Sequence, residues 1–419
     1  MLNVLVAADS YKGSLSSSDF IRAVQEAAAR CGNVTVRGIP IADGGEGVLD
    51  AILGPLHGER VECEATDPLG RKISAEYGLA GHTAIIEMAR CSGLTLLTAA
   101  ERNPLYTTSY GLGEMIRHAL DRSEVETIIV GIGGSATNDG GVGMAQALGL
   151  RALDADGEQA PLGGVHVGEI VRLDTRGLHP RIKEVPIRVM CDVSNPLYGP
   201  QGATAVYGPQ KGATPEMVEL LDGNLRHLAQ QIHRTLGIDV SELPGGGAAG
   251  GVGAALAAFC GASLDSGITV MLDLFHFEEA VRDADLVITG EGRTDAQTAY
   301  GKAVAGVARR AKACGKTVVC LSGALGSGRE LLYELGVDSL FSICPGPISE
   351  EFAMSNAYAL VADAAENILR LFTTLADGPY AWNVSACDSE GESRLDKVKG
   401  FIQRGHEVQG GIFHPQEGN

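Results

Sequence analysis

The chain has 419 residues, 45% hydrophobic and 20% charged, a composition that describes a folded globular protein and excludes an intrinsically disordered one. Its length exceeds what one ordinary core serves, so two or three domains are expected. The 52 acidic residues outweigh 33 basic ones for a net charge of −19, without the basic footprint of a nucleic-acid binder, so no nucleic-acid partner is expected.

Glycine is abundant at 57 residues and aromatics are only 5%, which favours an α/β protein with many loops over an aromatic-cored β-sandwich. The nine cysteines are odd in number and irregularly spaced, with no Cys-x-x-Cys, and read as reduced thiols in a reducing compartment. The first nine residues read as a strand, not a signal peptide. The longest uncharged stretch, about 245–264, is Gly/Ala-rich and lacks the bulk of a membrane span. A cytoplasmic protein with no membrane partner is the expectation.

In chain order, residues 2–8 predict a buried strand, 16–30 an amphipathic helix with Ser/Asp capping chemistry, and 34–39 a second strand, the rhythm of a parallel sheet. Residues 59–90 alternate with turn residues between runs and predict an antiparallel meander. Helices are expected at 109–121, 215–235 and 249–259, with strands at 125–130 and 187–191. The parallel pattern returns with strands at 285–289, 317–322 and 340–344 and helices at 301–314 and 349–371. The simplest arrangement is a discontinuous Rossmann-like α/β domain, 1–78 and 268–373, with a second α/β domain, 79–267, inserted. Residues 374–419 show no sustained period, and a poorly structured tail is expected.

Six loops, most of them after predicted strands, carry the chemistry, where open α/β sheets gather ligands. After the first strand comes Asp9-Ser10-Tyr11-Lys12-Gly13-Ser14, a lysine among hydroxyls suited to phosphate or carboxylate. Asp43-Gly44-Gly45-Glu46-Gly47 offers two carboxylates to a divalent cation or to substrate hydroxyls. The longest such loop follows the strand at 126–130: Gly131-Ile132-Gly133-Gly134-Ser135-Ala136-Thr137-Asn138-Asp139-Gly140. Bare amides at a helix start there would bind anionic oxygen, with Asp139 holding a cation. The competing reading is a glycine-rich turn that merely lets two elements pack.

Asp192, in Cys191-Asp-Val-Ser-Asn195-Pro-Leu197, ends a strand, a favoured position for a general base, and Lys211 follows as a candidate phosphate clamp. Gly245-x-Gly247-x-x-Gly250 matches a dinucleotide fingerprint literally but lacks a βαβ context, so close backbone approach to a ligand or helix explains it better. Last, Glu291, Arg293 and Asp295, followed by Lys302, suit a metal–phosphate site. The shared vocabulary of glycine, hydroxyl, carboxylate and sparse cation is what phosphoryl transfer requires. No P-loop or protein-kinase signature occurs.

These segments, together and in this order over about 1–372, resemble the bacterial glycerate kinase type-1 family. The resemblance implies ATP-dependent, Mg²⁺-requiring phosphorylation of D-glycerate to 2-phosphoglycerate, with 3-phosphoglycerate as the alternative, in the cytoplasm. It implies two α/β domains around a cleft and leaves monomer and homodimer both open. Tyr11 stands where the family often has Phe. On this footing Asp192 is the expected base, with Lys12, Arg293 or Lys211 holding carboxylate or phosphates. Ser10, Ser14, Gly133, Gly134, Ser135, Thr137, Asn138, Asn195, Gly247 and Lys302 are further candidates for substrate or phosphate binding. Asp43, Glu46, Asp139, Glu291 and Asp295 compete for the metal. The competing functional readings are a non-catalytic phosphometabolite-binding protein on the same scaffold and a nicotinamide-dependent dehydrogenase.

Overall fold

The computed structural model describes residues 1–42, 47–300 and 303–377. Asp43, Glu46, Lys302 and the tail beyond 377 lie outside the described residues. Met1–Thr373 form one compact unit. In chain order the strands of the described residues are β1 (Leu2–Val6), β2 (Val34–Gly38), β3 (Glu59–Thr66), β4 (Lys72–Ala80), β5 (Thr83–Glu87), β6 (Thr127–Gly131) and β7 (Arg151–Leu153). They continue with β8 (Arg172–Asp174), β9 (Ile187–Met190), β10 (Ser263–Asp265), β11 (Leu286–Thr294), β12 (Thr317–Leu325) and β13 (Ser339–Ser342).

Both ends of the chain build a five-stranded sheet, order β13-β12-β11-β1-β2, parallel throughout. Its central strands are apolar on both faces, as helix-covered parallel strands must be: Val4, Leu5, Val6, Val287 and Ile288 are all buried. The second sheet has the order β10-β9-β6-β5-β4-β3, with the meander β3-β4-β5 antiparallel and the rest parallel. The α/β class is as expected. The seam between the sheets is not. Pairing puts residues 59–80 in the six-stranded sheet, so that boundary falls before β3 and not at 78/79. Alternation marks the meander as antiparallel; it does not mark which sheet the meander joins.

A buried apolar layer joins the inner faces: Leu5 and Val287 from one sheet, Ile85, Ile129 and Met190 from the other, with Ile52 and Met271 from helices between them. Two further boundaries differ. β11 and β12 run past their predicted ends to Thr294 and Leu325, because Gly290, Gly292 and Gly323 let the strands and the preceding turn close up. A Cβ on Gly290 would lie 2.0 Å from the Leu321 carbonyl oxygen. The helix predicted over 349–371 is two, Glu350–Ser355 and Ala357–Asp377, broken at Asn356.

The helix Ser17–Cys31 sets the entrance to the site. Ser16 caps it by accepting the Asp19 N–H, Gly32 ends it at φ +65°, and Phe20, Val24 and Ala27 bury one face. Its first residue, buried Ser17, donates its hydroxyl to the Ala8 carbonyl (2.6 Å) and accepts the Ile41 N–H (2.9 Å). One side chain thus fixes the loops that leave β1 and β2. Ser17→Ala should cost about 1–3 kcal/mol, since an amide and a carbonyl lose their partner together, and urea unfolding at equilibrium measures it.

Candidate active site

Two cavities open at the carboxyl ends of the parallel strands, and Asp192 lines both. The larger, about 770 Å³, sits where the five-stranded sheet reverses its winding between β1 and β11, the position at which open α/β sheets bind ligands. Asp9, Ser10, Lys12, Glu291 and Arg293 form its polar wall, and Ile343, Ile348, Met354 and Ala357 an apolar one.

The turn that carries Lys12 is closed by backbone hydrogen bonds between Tyr11 and Leu15, with Gly13 at φ +74°. Tyr11 is buried against Phe20 and donates its hydroxyl to the Leu321 carbonyl (2.8 Å), anchoring the turn on β12. Burial raises its phenol pKa well above the ordinary value, so the group stays a donor. Ser14 also lines the cavity and donates its hydroxyl to the Met354 carbonyl (2.5 Å), tying the turn to the helix Glu350–Ser355. The Ser10 N–H donates to the Asp9 carboxylate (2.7 Å).

On β11, Glu291 is buried and its Oε1 accepts hydroxyls from Thr294 (3.1 Å) and Thr298 (2.5 Å), which hold the carboxylate at the cavity wall. Arg293 is exposed, its Nε 3.5 Å from Asp295. Asp295, expected among the metal ligands, caps the turn Ala296–Ala299 by accepting the Gln297 N–H (2.9 Å). Asp192, after β9, is held by the Gly267 N–H on its Oδ1 (2.9 Å).

The smaller cavity, about 430 Å³, lies beyond β6 and β9, with Gly133, Gly134, Ser135, Tyr207 and Lys211 on its walls. Lys211 is only 2% exposed. Its Nζ donates to Ser135 Oγ (2.9 Å) and to the Thr137 carbonyl (2.7 Å). Desolvation brings its pKa down to about 7, against the opposing pull of Asp139.

The glycine-rich loop after β6 is where structure and expectation part most clearly. Several of its amides have partners within the protein. Those of Gly141 and Gly143 bond the Asp139 carboxylate, that of Gly140 the Gly250 carbonyl, and that of Ala136 the Ser92 carbonyl. Asp139 is 1% exposed and also accepts the Ser109 N–H (2.8 Å), the Ser109 hydroxyl (2.9 Å) and the Thr108 hydroxyl (3.3 Å). A carboxylate so engaged staples the loop to the segment at Thr108 and Ser109. Thr137 and Asn138 are likewise buried, Asn138 donating to Thr204 (2.9 Å), and neither lines the cavity. Asn195 donates to the Gln201 carbonyl (2.7 Å) and accepts the hydroxyl of Tyr207 (2.6 Å), the last residue of the helix Ala203–Tyr207. Gly247 and Gly250 serve close packing: a Cβ would meet the Pro196 carbonyl at 2.2 Å and the Thr137 carbonyl at 2.1 Å, respectively. Of the loop after β6, Ile132, Gly133, Gly134 and Ser135 line the cavity.

Several residues escaped the sequence reading. The apolar wall comes from the segment around β13 and the helix beyond it, where nothing but ordinary hydrophobicity marks it. Asp9 was visible as the residue directly after a strand. Buried Glu87 accepts the Leu49 N–H (3.1 Å) and the Arg90 Nε–H (2.8 Å), so it locks the start of the helix Val48–Leu53 to β5.

Two sheets, each with parallel strands and helices between them and with a cavity at the strand ends, place the chain in the α/β class. The glycerate kinase family model matches residues 4–373, and the chain belongs to that family. The glycerate kinase of Halalkalibacterium halodurans is 47% identical over 371 residues, covering 88% of this chain and 97% of its own. The glycerate 2-kinase of Escherichia coli K12 is 44% identical over 380 residues, covering 90% and 99%. A Salmonella typhimurium LT2 protein whose crystal structure carries the name glycerate kinase 2 superposes with a TM-score of 0.80 at 47% identity, over 89% of this chain and 98% of that one.

Asp139→Ala strands at least four donors in a dry interior and should cost 3 kcal/mol or more, roughly, with no metal added. Urea unfolding without and with Mg²⁺ checks this: a variant as stable as the parent in metal-free buffer would return Asp139 to the ligand list.

Proposed function

We infer that the protein transfers the γ-phosphoryl group of ATP to the 2-hydroxyl of D-glycerate. The observation that carries the reading is Asp192, lining a nucleotide-sized cavity on one side and a smaller one on the other, its carboxylate held by the Gly267 N–H. ATP takes the larger cavity, its base toward Ile343, Ile348 and Met354 and its phosphates toward Lys12 and Arg293. Glycerate takes the smaller one. Asp192 accepts the proton as the hydroxyl attacks, and the cations stabilise charge on the transferring group. The five-stranded sheet serves as the nucleotide lobe and the six-stranded sheet as the acceptor lobe.

Among the described residues no three His, Cys, Asp or Glu side chains cluster into a metal cage. Mg²⁺ in phosphoryl transfer asks for less, one or two carboxylates beside substrate phosphates and water. Asp9 and Glu291 are hard oxygen donors on the wall of the larger cavity and fit that need; the ion would neutralise phosphate charge there. Among the described residues no helix is long and apolar enough to cross a membrane, in keeping with a cytoplasmic enzyme.

The relatives' names as kinases leave the non-catalytic alternative without support. The fingerprint behind the dehydrogenase reading packs its glycines against neighbouring loops. Phosphorus NMR of the product from D-glycerate and ATP should show the 2-phosphate ester with one ADP released per ester. Asp192→Asn should lower kcat by about 100-fold or more while leaving the fold intact by circular dichroism. A well-folded variant at near-normal rate would remove Asp192 from the base role.

A further inference from the structure

We propose that Lys211 is the carboxylate-recognition residue of the acceptor site, and that it takes up a proton from solvent when D-glycerate binds. The proposal rests on the kinase reading above and assigns the anion-binding end of its smaller cavity.

The geometry comes first. Lys211 lies in the wall of the 430 Å³ cavity with 2% of its surface exposed, and both its acceptors, the Ser135 hydroxyl and the Thr137 carbonyl, are uncharged. A neutral amine has two N–H groups, which match those two acceptors. An ammonium has three and leaves one to be satisfied. A buried ammonium without an adjacent anion is costly, so protonation and arrival of an anion favour each other. The exposed cations Lys12 and Arg293 belong to the larger cavity, where a polyphosphate would lie. A single buried amine beside Ser135 suits a single negative charge, the carboxylate of a small hydroxy acid.

The charged and titratable groups around Lys211 are Asp139 behind the loop, Arg102 beside Gly212, and Asp192, Cys191 and Tyr207 around the cavity. Burial pushes the Cys191 thiol and the Tyr207 phenol up. Lys211 is held down to about 7, so in the free protein it loses its proton as pH rises through neutrality. Below that pH it is charged and glycerate binds without proton uptake. Above it, each bound glycerate must bring a proton, and affinity falls with rising pH until the pKa of the complex is reached.

The test compares D-glycerate with D-glyceramide, its neutral amide, in the ADP-release assay from pH 6 to 9.5. For the wild type, KM for D-glycerate should be flat below about pH 7 and rise up to tenfold per pH unit above it. KM for the amide should lack that rise. Calorimetric titration of the nucleotide-free protein with D-glycerate at pH 8, in two buffers of different ionisation enthalpy, should read an uptake approaching one proton. Lys211→Met should abolish the uptake and cut the preference for D-glycerate over the amide by about 10- to 100-fold, the worth of one charge-assisted hydrogen bond. Lys211→Arg should retain the preference and lose the pH-dependent rise.

A role limited to holding the 133–137 loop would lower activity on both substrates alike and leave their ratio unchanged, which overturns the proposal. Should Lys211→Met fail to fold, the wild-type profiles decide by themselves: parallel profiles for acid and amide overturn it. Wild-type ADP release with D-glycerate but no proton uptake rejects the lysine assignment and spares the kinase reading; no ADP release rejects the kinase reading.

Discussion

The carboxylate of Asp139 is the point on which the loop beside the smaller cavity turns. It gathers amides from Ser109, Gly141 and Gly143 and hydroxyls from Thr108 and Ser109, and so folds the loop after β6 back upon itself. A carboxylate removed from water is tolerable only when its lone pairs are so occupied. Once they are, the loop has little freedom left. The Thr137 carbonyl is then aimed at Lys211, and residues 132–135 are left as the part of the loop that faces the cavity. The same loop is clamped from outside by Gly250 and Gly251, where any side chain would strike backbone. Rigid support of this kind lets a binding loop hold its geometry without help from the ligand.

The side of the larger cavity achieves the same end by different means. Hydroxyls do the work there: Ser17 between the exits of β1 and β2, Tyr11 on β12, Ser14 on the helix Glu350–Ser355, and Thr294 and Thr298 on Glu291. Most donate to backbone carbonyls, the commonest partners of side-chain hydrogen bonds. The Tyr11 contact also changes the weight of one substitution. The phenol oxygen, which a Phe would lack, adds a bond between the turn and β12, so tyrosine here is a support and not a neutral replacement.

Much of this was legible in the sequence, and the limits have physical causes. Parallel strands announce themselves because burial on both faces demands continuous apolar runs, and β1, β6 and β11 show it. Loops rich in glycine and acid mark strand ends, and Lys12, Asp192, Lys211 and Glu291, all singled out from such loops, line the two cavities. What the residues could not reveal is direction. Asp139 and Glu291 share a vocabulary of glycine, threonine and carboxylate, yet one turns into the protein and the other toward the cavity. That depends on which donors the tertiary fold brings up, and Ser109 is thirty residues away from Asp139 in the chain. The meander was legible as a meander, but its allegiance to the second sheet depends on β5 pairing with β6 across a long connection.

Charge closes the argument. A protein of net charge −19 repels anionic metabolites at long range, so it must capture them with few, well-placed positive groups. Lys12 and Arg293 are exposed and cost nothing in desolvation, but water and salt screen them. Lys211 is the opposite case: expensive to charge when the cavity is empty and strongly felt by an anion that excludes water from it. Exposed cations beside the larger cavity and a conditional one beside the smaller would let a polyphosphate dock freely while making the acceptor earn its place. An uncharged polyol of similar size gains nothing from Lys211, and the same desolvation that makes the lysine weakly basic makes it selective.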